Sequence, residues 1–104
     1  MEIYDSIDQG VADYRATPGA VLLDMRDEED FHTDGHIPGA INMQLLTVPE
    51  DIKDYAADRD TPIFIYCYGG MRSFQAAALL EGVGYTHVAS MGGFDRYHGE
   101  IEED

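Results

Sequence analysis

The sequence predicts an α/β fold in which a mostly parallel sheet is covered by helices on both faces. Three observations support this prediction. Short apolar runs, typical of strands buried on both faces, alternate with segments of helical periodicity. Glycine and proline separate these segments and mark the turns between them. Strands that alternate with helices along a chain are joined by crossover connections, so they lie parallel to one another.

Each element has a local signal. The first helix is predicted at residues 5–15, where Ile7, Val11 and Tyr14 recur at helical spacing and Asp5 or Ser6 supplies the cap. Proline early in a segment suits a first helical turn, and paired glycines suit a helix end. Strands are predicted at residues 20–25, 62–66 and 86–90, and the segment 37–42 is predicted to turn at Pro38-Gly39 into another short strand. The other predicted helices are residues 27–33, 49–57, 73–81 and 94–101.

Length and composition limit the class of protein. The 104 residues suffice for one domain, residues 1–104, with a single core. No apolar run reaches the length of a membrane span, and the acidic N-terminus lacks the basic and apolar regions of a signal peptide. One cysteine with four scattered histidines makes no zinc-ligand pattern. We therefore expect a cytoplasmic protein with no metal site and no membrane partner.

The charge is strongly negative. Twenty-one Asp and Glu against six Lys and Arg give a formal charge of −15, and Lys53 is the only lysine. Such a surface repels nucleic acid and anionic lipid, so neither is expected as a partner. Anionic substrates are repelled less at about 1 M salt, where the Debye length is about 3 Å. Two interpretations stay open, an ordinary acidic protein or a halophilic one adapted to concentrated salt.

The only cysteine, Cys67, follows an apolar strand and precedes a glycine-rich loop that opens into a helix. In a parallel α/β fold, ligands bind beyond the carboxyl ends of the strands. Gly69 and Gly70 tolerate positive φ, so the N–H groups of residues 68–73 can form an anion-binding nest. This nest, the helix N-terminus and Arg72 all favour a thiolate. The pattern predicts an activated cysteine, against the alternative of a small buried core residue.

Four stretches of the sequence, in the family's own order, resemble the rhodanese (sulfurtransferase) family. They include an apolar strand that ends in Asp-x-Arg and an active-site loop of the form Cys-x-x-Gly-x-Arg. Each stretch alone could arise by chance, but four in order are specific. The stretches are LLDMRDEEDF (22–31), GHIPGAINM (35–43), IYCYGGMRS (65–73) and LLEGVGYTHVASMGGF (79–94).

The resemblance covers residues 21–97 and implies a fold and a reaction. The fold is a rhodanese-like three-layer α/β/α arrangement whose central, mostly parallel sheet has five strands, the first at residues 2–4. The reaction is sulfane-sulfur transfer without a cofactor. In it, the Cys67 thiolate takes sulfur from a small sulfur-containing anion such as thiosulfate and forms a persulfide. A thiophilic acceptor, such as cyanide, a thiol or a protein, then removes that sulfur.

Several residues around the cysteine and at the end of the chain have expected roles. Arg72 is expected to orient the donor's oxygens, because its planar fork suits oxyanions. Asp24 and Arg26 are expected to form a structural ion pair or loop brace near the site, and His36 to be hydrogen-bonded in a turn. The acidic residues 100–104 are expected to be a solvated end. The remaining loop residues expected to bind the donor are Tyr68, Gly69, Gly70, Met71 and Ser73.

Two other functions stay open. Phosphatases and arsenate reductases of the same fold hold a tetrahedral oxyanion in a Cys-x5-Arg loop, whereas four residues separate Cys67 from Arg72 here. The shorter loop favours sulfur transfer over phosphate chemistry. The second alternative is a sulfur-relay or binding module that does not turn over alone. The rate of thiosulfate:cyanide sulfur transfer distinguishes this module from an enzyme.

Overall fold

The centre of the protein is a five-stranded sheet in which neighbouring strands run parallel. The computed structural model describes residues 1–103. The strand order is β1-β5-β4-β2-β3, which places β4 in the middle. The strands are β1 (Glu2–Ile3), β2 (Val21–Asp24), β3 (Ile41–Asn42), β4 (Ile63–Cys67) and β5 (Val88–Gly93), and the helices are α1 (Ile7–Arg15), α2 (Glu28–Thr33), α3 (Val48–Asp51) and α4 (Met71–Gly82). The predicted α/β/α architecture is confirmed, with the sheet entirely parallel.

The central strand shows why both faces of the sheet are covered. All five residues of β4 are buried. Because successive side chains of a strand point to opposite faces, β4 contributes to two cores. Ile63, Ile65 and Cys67 pack in the core that includes residues of α3 and α4. Phe64 and Tyr66 pack in the core that includes residues of α1. Burying each large apolar side chain contributes about 1.5–3 kcal/mol.

The helix that follows the cysteine loop begins at a glycine. Gly70 is the N-cap of α4 and has φ of 104°, in the left-handed region that residues with a Cβ disfavour. The helix therefore begins at Met71, two residues before the predicted start at Ser73. Among residues 1–103, none of the helices is long and apolar enough to cross a membrane.

The first helix begins at Ile7, two residues after the predicted start. Ser6 is its N-cap, and the Ser6 hydroxyl accepts a hydrogen bond from the N–H of Gln9 at 3.2 Å. This contact satisfies one of the helix's unpaired N–H groups. Of the two caps that the sequence allowed, Asp5 and Ser6, the structure therefore uses the serine.

Two helix predictions are wrong in extent. The helix predicted at residues 49–57 is the short α3 followed by a 3-10 turn at Ile52–Asp54. The helix predicted at residues 94–101 is only a 3-10 turn at Phe94–Arg96, because Tyr97 is extended with ψ of 135°. The N–H of His98 then donates to the Asp8 carboxylate rather than to a helical carbonyl. The Asp8 side chain of α1 thus takes the place of a helical carbonyl as the acceptor for the His98 N–H group.

The acidic end of the chain is not simply solvated as predicted. Glu102 forms an antiparallel bridge with His36, and each residue's N–H donates to the other's carbonyl, at 2.9 and 2.7 Å. This pairing ties the end of the chain to the loop before β3. The part of the prediction that concerns Asp104 lies outside the described residues.

Candidate active site

Cys67 is the last residue of the central strand and lies at its carboxyl end. Cys67 is only 2% exposed. Two backbone N–H groups of the following segment donate to its sulfur, from Gly70 at 3.0 Å and from Ser73 at 3.4 Å. Because both donors carry partial positive charge at the N-terminus of α4, they stabilise negative charge on Sγ. The geometry therefore suits a negatively charged sulfur on Cys67.

A bulge in β5 shapes the floor of this loop. Ile65 of β4 is opposite Ser90, but Cys67 is opposite Gly93, so β5 contains one extra residue between these pairs. Gly92 has φ of 95° within this bulge. A side chain on Gly93 would collide with the carbonyl of Tyr68, so the cysteine loop lies directly on Gly93. Bulges beside active sites commonly redirect local groups in this way.

The other residues of the loop differ in whether they face the Cys67 sulfur or the protein surface. The side chains of Tyr68 and Met71 are exposed, at 61% and 75%. Gly69 lines a cleft of about 560 Å³ on the side of the loop that faces β5 and the start of α1. Ser73 is fully buried beneath the loop. Of the residues expected to bind the donor, Gly70 and Ser73 are the two whose N–H groups reach Cys67.

Arg72 reaches across the site to the segment after β2. Its Nη1 donates to the Asp27 carboxylate at 2.9 Å and to the Met25 carbonyl at 3.3 Å. The guanidinium therefore bridges α4 and the loop that begins α2. Asp27 is a residue of the site that the sequence pattern did not reveal. Its only signal was its place in the acidic run that follows Asp-x-Arg.

Asp24 and Arg26 form a buried ion pair. The Arg26 Nη2 atom is 2.7 Å from the Asp24 carboxylate and 2.6 Å from the carbonyl of Gly35, to which it also donates. The guanidinium lies 4.1 Å from the ring centre of Phe94, within range of a cation–π contact. Burial alone lowers the pKa of Arg26, but the hydrogen bonds and charge of Asp24 raise it overall. The pair joins β2 to the loop before β3.

The neighbouring Tyr66 is held neutral by the same surroundings. Burial is the main cause that raises its pKa, and the charge of Asp24 raises it further. The neutral hydroxyl accepts a hydrogen bond from the N–H of Ile37 at 3.1 Å. Tyr66 thus connects the central strand to the turn that precedes β3.

His36 is surrounded by structural partners. Its ring stacks on Phe31 with 3.8 Å between ring centres, and its Nδ1 is 3.2 Å from the Phe31 carbonyl. Its Nε2 is 3.2 Å from the carboxylate of Glu102. The ring therefore connects α2 with the end of the chain.

A second residue that the sequence analysis did not single out is Ser90, on β5. Its hydroxyl lies 3.1 Å from the hydroxyl of Ser73 and is buried with it. A buried serine in a strand was the only sequence signal, and it had no evident connection with Cys67.

Among residues 1–103, no group of three or more His, Cys, Asp or Glu is placed to hold a metal ion.

The fold and the site together define a parallel α/β protein whose central strand ends in a cysteine that accepts hydrogen bonds from two backbone N–H groups. The rhodanese-like domain family matches residues 7–100. A thiosulfate sulfurtransferase, GlpE, from Stutzerimonas stutzeri is 38% identical over 91 residues, which cover 83% of this chain and 81% of that protein. PspE, a thiosulfate sulfurtransferase from Escherichia coli, is 38% identical over 68% of this chain and 67% of its own length.

Solved structures agree with this similarity. A rhodanese with anions from E. coli has a TM-score of 0.74 and 29% identity, and the match covers 82% of this chain and 99% of that one. A rhodanese-like domain protein from Staphylococcus aureus shares the fold, with a TM-score of 0.81, 24% identity and coverage of 100% and 99%. The chain belongs to the rhodanese-like family and is a rhodanese-type enzyme.

Proposed function

We propose that this protein transfers sulfane sulfur from thiosulfate, or a similar small anion, to a thiophilic acceptor through a persulfide on Cys67. The observation that carries the proposal is the pair of N–H groups, from Gly70 and Ser73, that donate to the cysteine sulfur. The thiosulfate sulfurtransferase relatives support the choice of donor.

In the first half-reaction, the Cys67 thiolate attacks the outer sulfur of thiosulfate. A new S–S bond forms to Cys67, and the bond between the two thiosulfate sulfurs breaks. Sulfite leaves with the electron pair of that bond, and the outer sulfur stays on the enzyme as a persulfide anion. Because these N–H groups already face the sulfur, they need little reorganisation to stabilise negative charge as it moves outward.

In the second half-reaction, an acceptor nucleophile attacks the outer persulfide sulfur. With cyanide, a carbon–sulfur bond forms and thiocyanate leaves. The electron pair of the broken S–S bond returns to Cys67 as the thiolate, so the cycle closes without an external oxidant or reductant. A thiol acceptor becomes a persulfide by the same step. This double displacement splits the transfer between two partners that need not bind together.

Arg72 is the cation expected to orient the donor's oxygens. The Arg72 side chain is 41% exposed, and one of its guanidinium nitrogens donates to both Asp27 and Met25. A guanidinium carries five N–H donors, so further N–H groups can contact an oxyanion. The positive charge also offsets part of the repulsion between an anionic donor and a surface of net charge −15.

Intact-protein mass spectrometry tests the proposal directly. Thiosulfate without an acceptor should add one sulfur atom to the protein, and cyanide should then remove it with stoichiometric thiocyanate. Cys67→Ser should gain no sulfur, because a serine hydroxyl forms no S–S bond with the donor. Arg72→Ala should still load, but more slowly at limiting thiosulfate, because the N–H groups of the loop remain.

The outcomes separate the proposal from its alternatives. Persulfide loading followed by slow cyanide turnover, with faster discharge to a protein thiol, would favour the relay function. An unmodified mass after incubation with thiosulfate and other sulfane donors, with Cys67 reduced and accessible, would exclude sulfur transfer through this residue. The chain has one cysteine, so any added sulfur is assigned to Cys67 without ambiguity.

A further inference from the structure

Two buried serines lie beneath the cysteine loop and are hydrogen-bonded to each other. Ser73 belongs to the first turn of α4, and Ser90 belongs to β5. Ser73 is 0% exposed and Ser90 is 3% exposed, and their hydroxyl oxygens are 3.1 Å apart. The Ser73 hydroxyl also donates to the carbonyl of Gly70 at 2.9 Å. The three groups form a continuous polar chain inside the protein.

The direction of this chain follows from proton counting. A serine hydroxyl has one proton to donate and two lone pairs to accept with. Because the Ser73 proton is committed to the Gly70 carbonyl, the bond between the hydroxyls must be donated by Ser90. The sequence of donors is therefore Ser90 to Ser73 to Gly70. Hydrogen bonds in such a chain polarise one another, which strengthens the final bond to Gly70.

The chain ends on the same residues that face the cysteine. The N–H groups of Gly70 and Ser73 donate to Cys67 Sγ, and the Ser73 side chain holds the Gly70 carbonyl. Glycine adopts φ of 104° without steric cost, so the residue type alone does not hold Gly70 in this conformation. The hydrogen bond from the Ser73 hydroxyl to the Gly70 carbonyl helps to select it from inside the protein.

We infer that Ser90 is a positioning residue for the cysteine centre: its hydroxyl acts through Ser73 to keep the Gly70 and Ser73 N–H groups directed at Cys67. The inference rests on the proposed role of Cys67 as the sulfur carrier. Ser90 is buried below the loop and acts only through Ser73. Removing the hydroxyl weakens the hold on the Gly70 carbonyl and lets the φ and ψ angles of Gly70 change, which weakens the hydrogen bond from the Gly70 N–H to the thiolate.

The test compares variants of Ser90 that differ only in the hydroxyl. Thr and Val have nearly the same shape, so Ser90→Thr and Ser90→Val place equal strain on the buried position. Val88→Ala is the control for general destabilisation, because Val88 lies on the same strand and is buried but has no hydroxyl. The readout is the rate of alkylation by iodoacetamide across pH, which reports on Cys67 alone because the chain has one cysteine.

Ser90→Val should shift the pH profile of alkylation to higher pH and slow alkylation about threefold to tenfold near neutral pH, as expected for one weakened hydrogen bond to the thiolate. Ser90→Thr should restore most of the rate. Val88→Ala should lower the melting temperature but leave the pH profile unchanged. Ser90→Ala, measured beside them, should follow Ser90→Val.

Superimposable pH profiles for Ser90→Thr and Ser90→Val would overturn the inference, and Ser90 would then contribute packing alone. Alkylation needs no sulfur donor, so this result is independent of the proposed reaction. Failure of the proposed function would be seen elsewhere, as an unmodified protein mass after incubation with thiosulfate and other sulfane donors. The positioning role of Ser90 and the proposed sulfur transfer can therefore fail separately.

Discussion

Arg72 and Asp27 form an ion pair of 2.9 Å across the cysteine loop, although they are 45 residues apart in the sequence. Both side chains are more than one-third exposed, at 41% and 67%. Exposed pairs of this kind contribute about 0.2–1 kcal/mol, because water screens the charges. The pair is therefore weak enough for an anionic donor to compete with Asp27 for the guanidinium.

Removing the Asp27 charge should strengthen donor binding. In Asp27→Asn the guanidinium loses its carboxylate partner, and the KM for thiosulfate should fall about 1.5- to 5-fold, as the energy of an exposed pair implies. Glu29→Gln is the matched control, because Glu29 is an exposed carboxylate in the first turn of α2, the helix that Asp27 caps. Steady-state thiosulfate:cyanide kinetics measure both variants. A rise in KM for Asp27→Asn would show instead that Asp27 holds Arg72 in its productive position.

The conformation of Gly70 should be indispensable, whereas that of Gly69 should not. Gly70→Ala places a Cβ at φ of 104° and should cost about 1–2 kcal/mol of folding stability. Relief of this strain would turn its N–H away from Cys67, so sulfur transfer should fall further than stability alone explains. Gly69→Ala is the control, because its Cβ would meet no atom within 4 Å. Chemical denaturation and persulfide loading measure the two effects. Equal activity in the two variants would contradict this role of Gly70.

The short loop should exclude phosphatase activity. Four residues separate Cys67 from Arg72, and we expect the unaltered protein not to hydrolyse aryl phosphates. One glycine inserted between Gly70 and Met71 should widen the loop and admit a tetrahedral phosphate, at some loss of sulfur transfer. Hydrolysis of p-nitrophenyl phosphate measures the change. Phosphatase activity in the unaltered protein that disappears in Cys67→Ser would refute the sulfurtransferase assignment.

The contact between α1 and the end of the chain should weaken in acid. The backbone and ring hydrogen bonds of His98 hold the pKa of Asp8 below its usual value of 3.8. A lowered folded-state pKa stabilises the fold above the unfolded value, and this contribution is lost as pH falls through the folded value. The stability difference between the natural protein and Asp8→Asn should therefore shrink below about pH 4, from a starting value under about 1 kcal/mol.

Denaturant unfolding at about pH 5 and at about pH 2 measures this dependence, with Asp5→Asn as the control. Asp5 is an exposed carboxylate in the same segment. A stability difference for Asp8→Asn that grows toward low pH would show that the Asp8–His98 contact does not lower the pKa of this carboxyl.

Salt should stabilise this acidic chain. With a formal charge of −15, repulsion among carboxylates opposes the compact state, and screening at molar salt removes most of it. The melting temperature should rise from low to molar KCl, and the apparent affinity for thiosulfate should rise with it. Thermal melts across a KCl series measure the effect. A flat or falling melting temperature would count against adaptation to salt.

The sequence alone determined the alternation of strands and helices and the position of the cysteine. These features follow from local patterns: apolar runs form strands buried on both faces, and Gly70 lets the loop after β4 turn into α4. Helix ends were less predictable. The helix expected after Phe94 is a single turn, because a contact between His98 and the distant Asp8 replaces the helical hydrogen bond.

The partners of the site were decided by tertiary structure. Asp27 meets Arg72 only because parallel strands bring the ends of β2 and β4 to the same edge of the sheet. Ser90 meets Ser73 only because alternate residues of β5, such as Val88 and Ser90, face the side of the sheet on which α4 packs. These contacts join residues 45 and 17 positions apart. A local pattern fixes which residues enter a strand or helix, whereas register and packing decide which side chains then face each other.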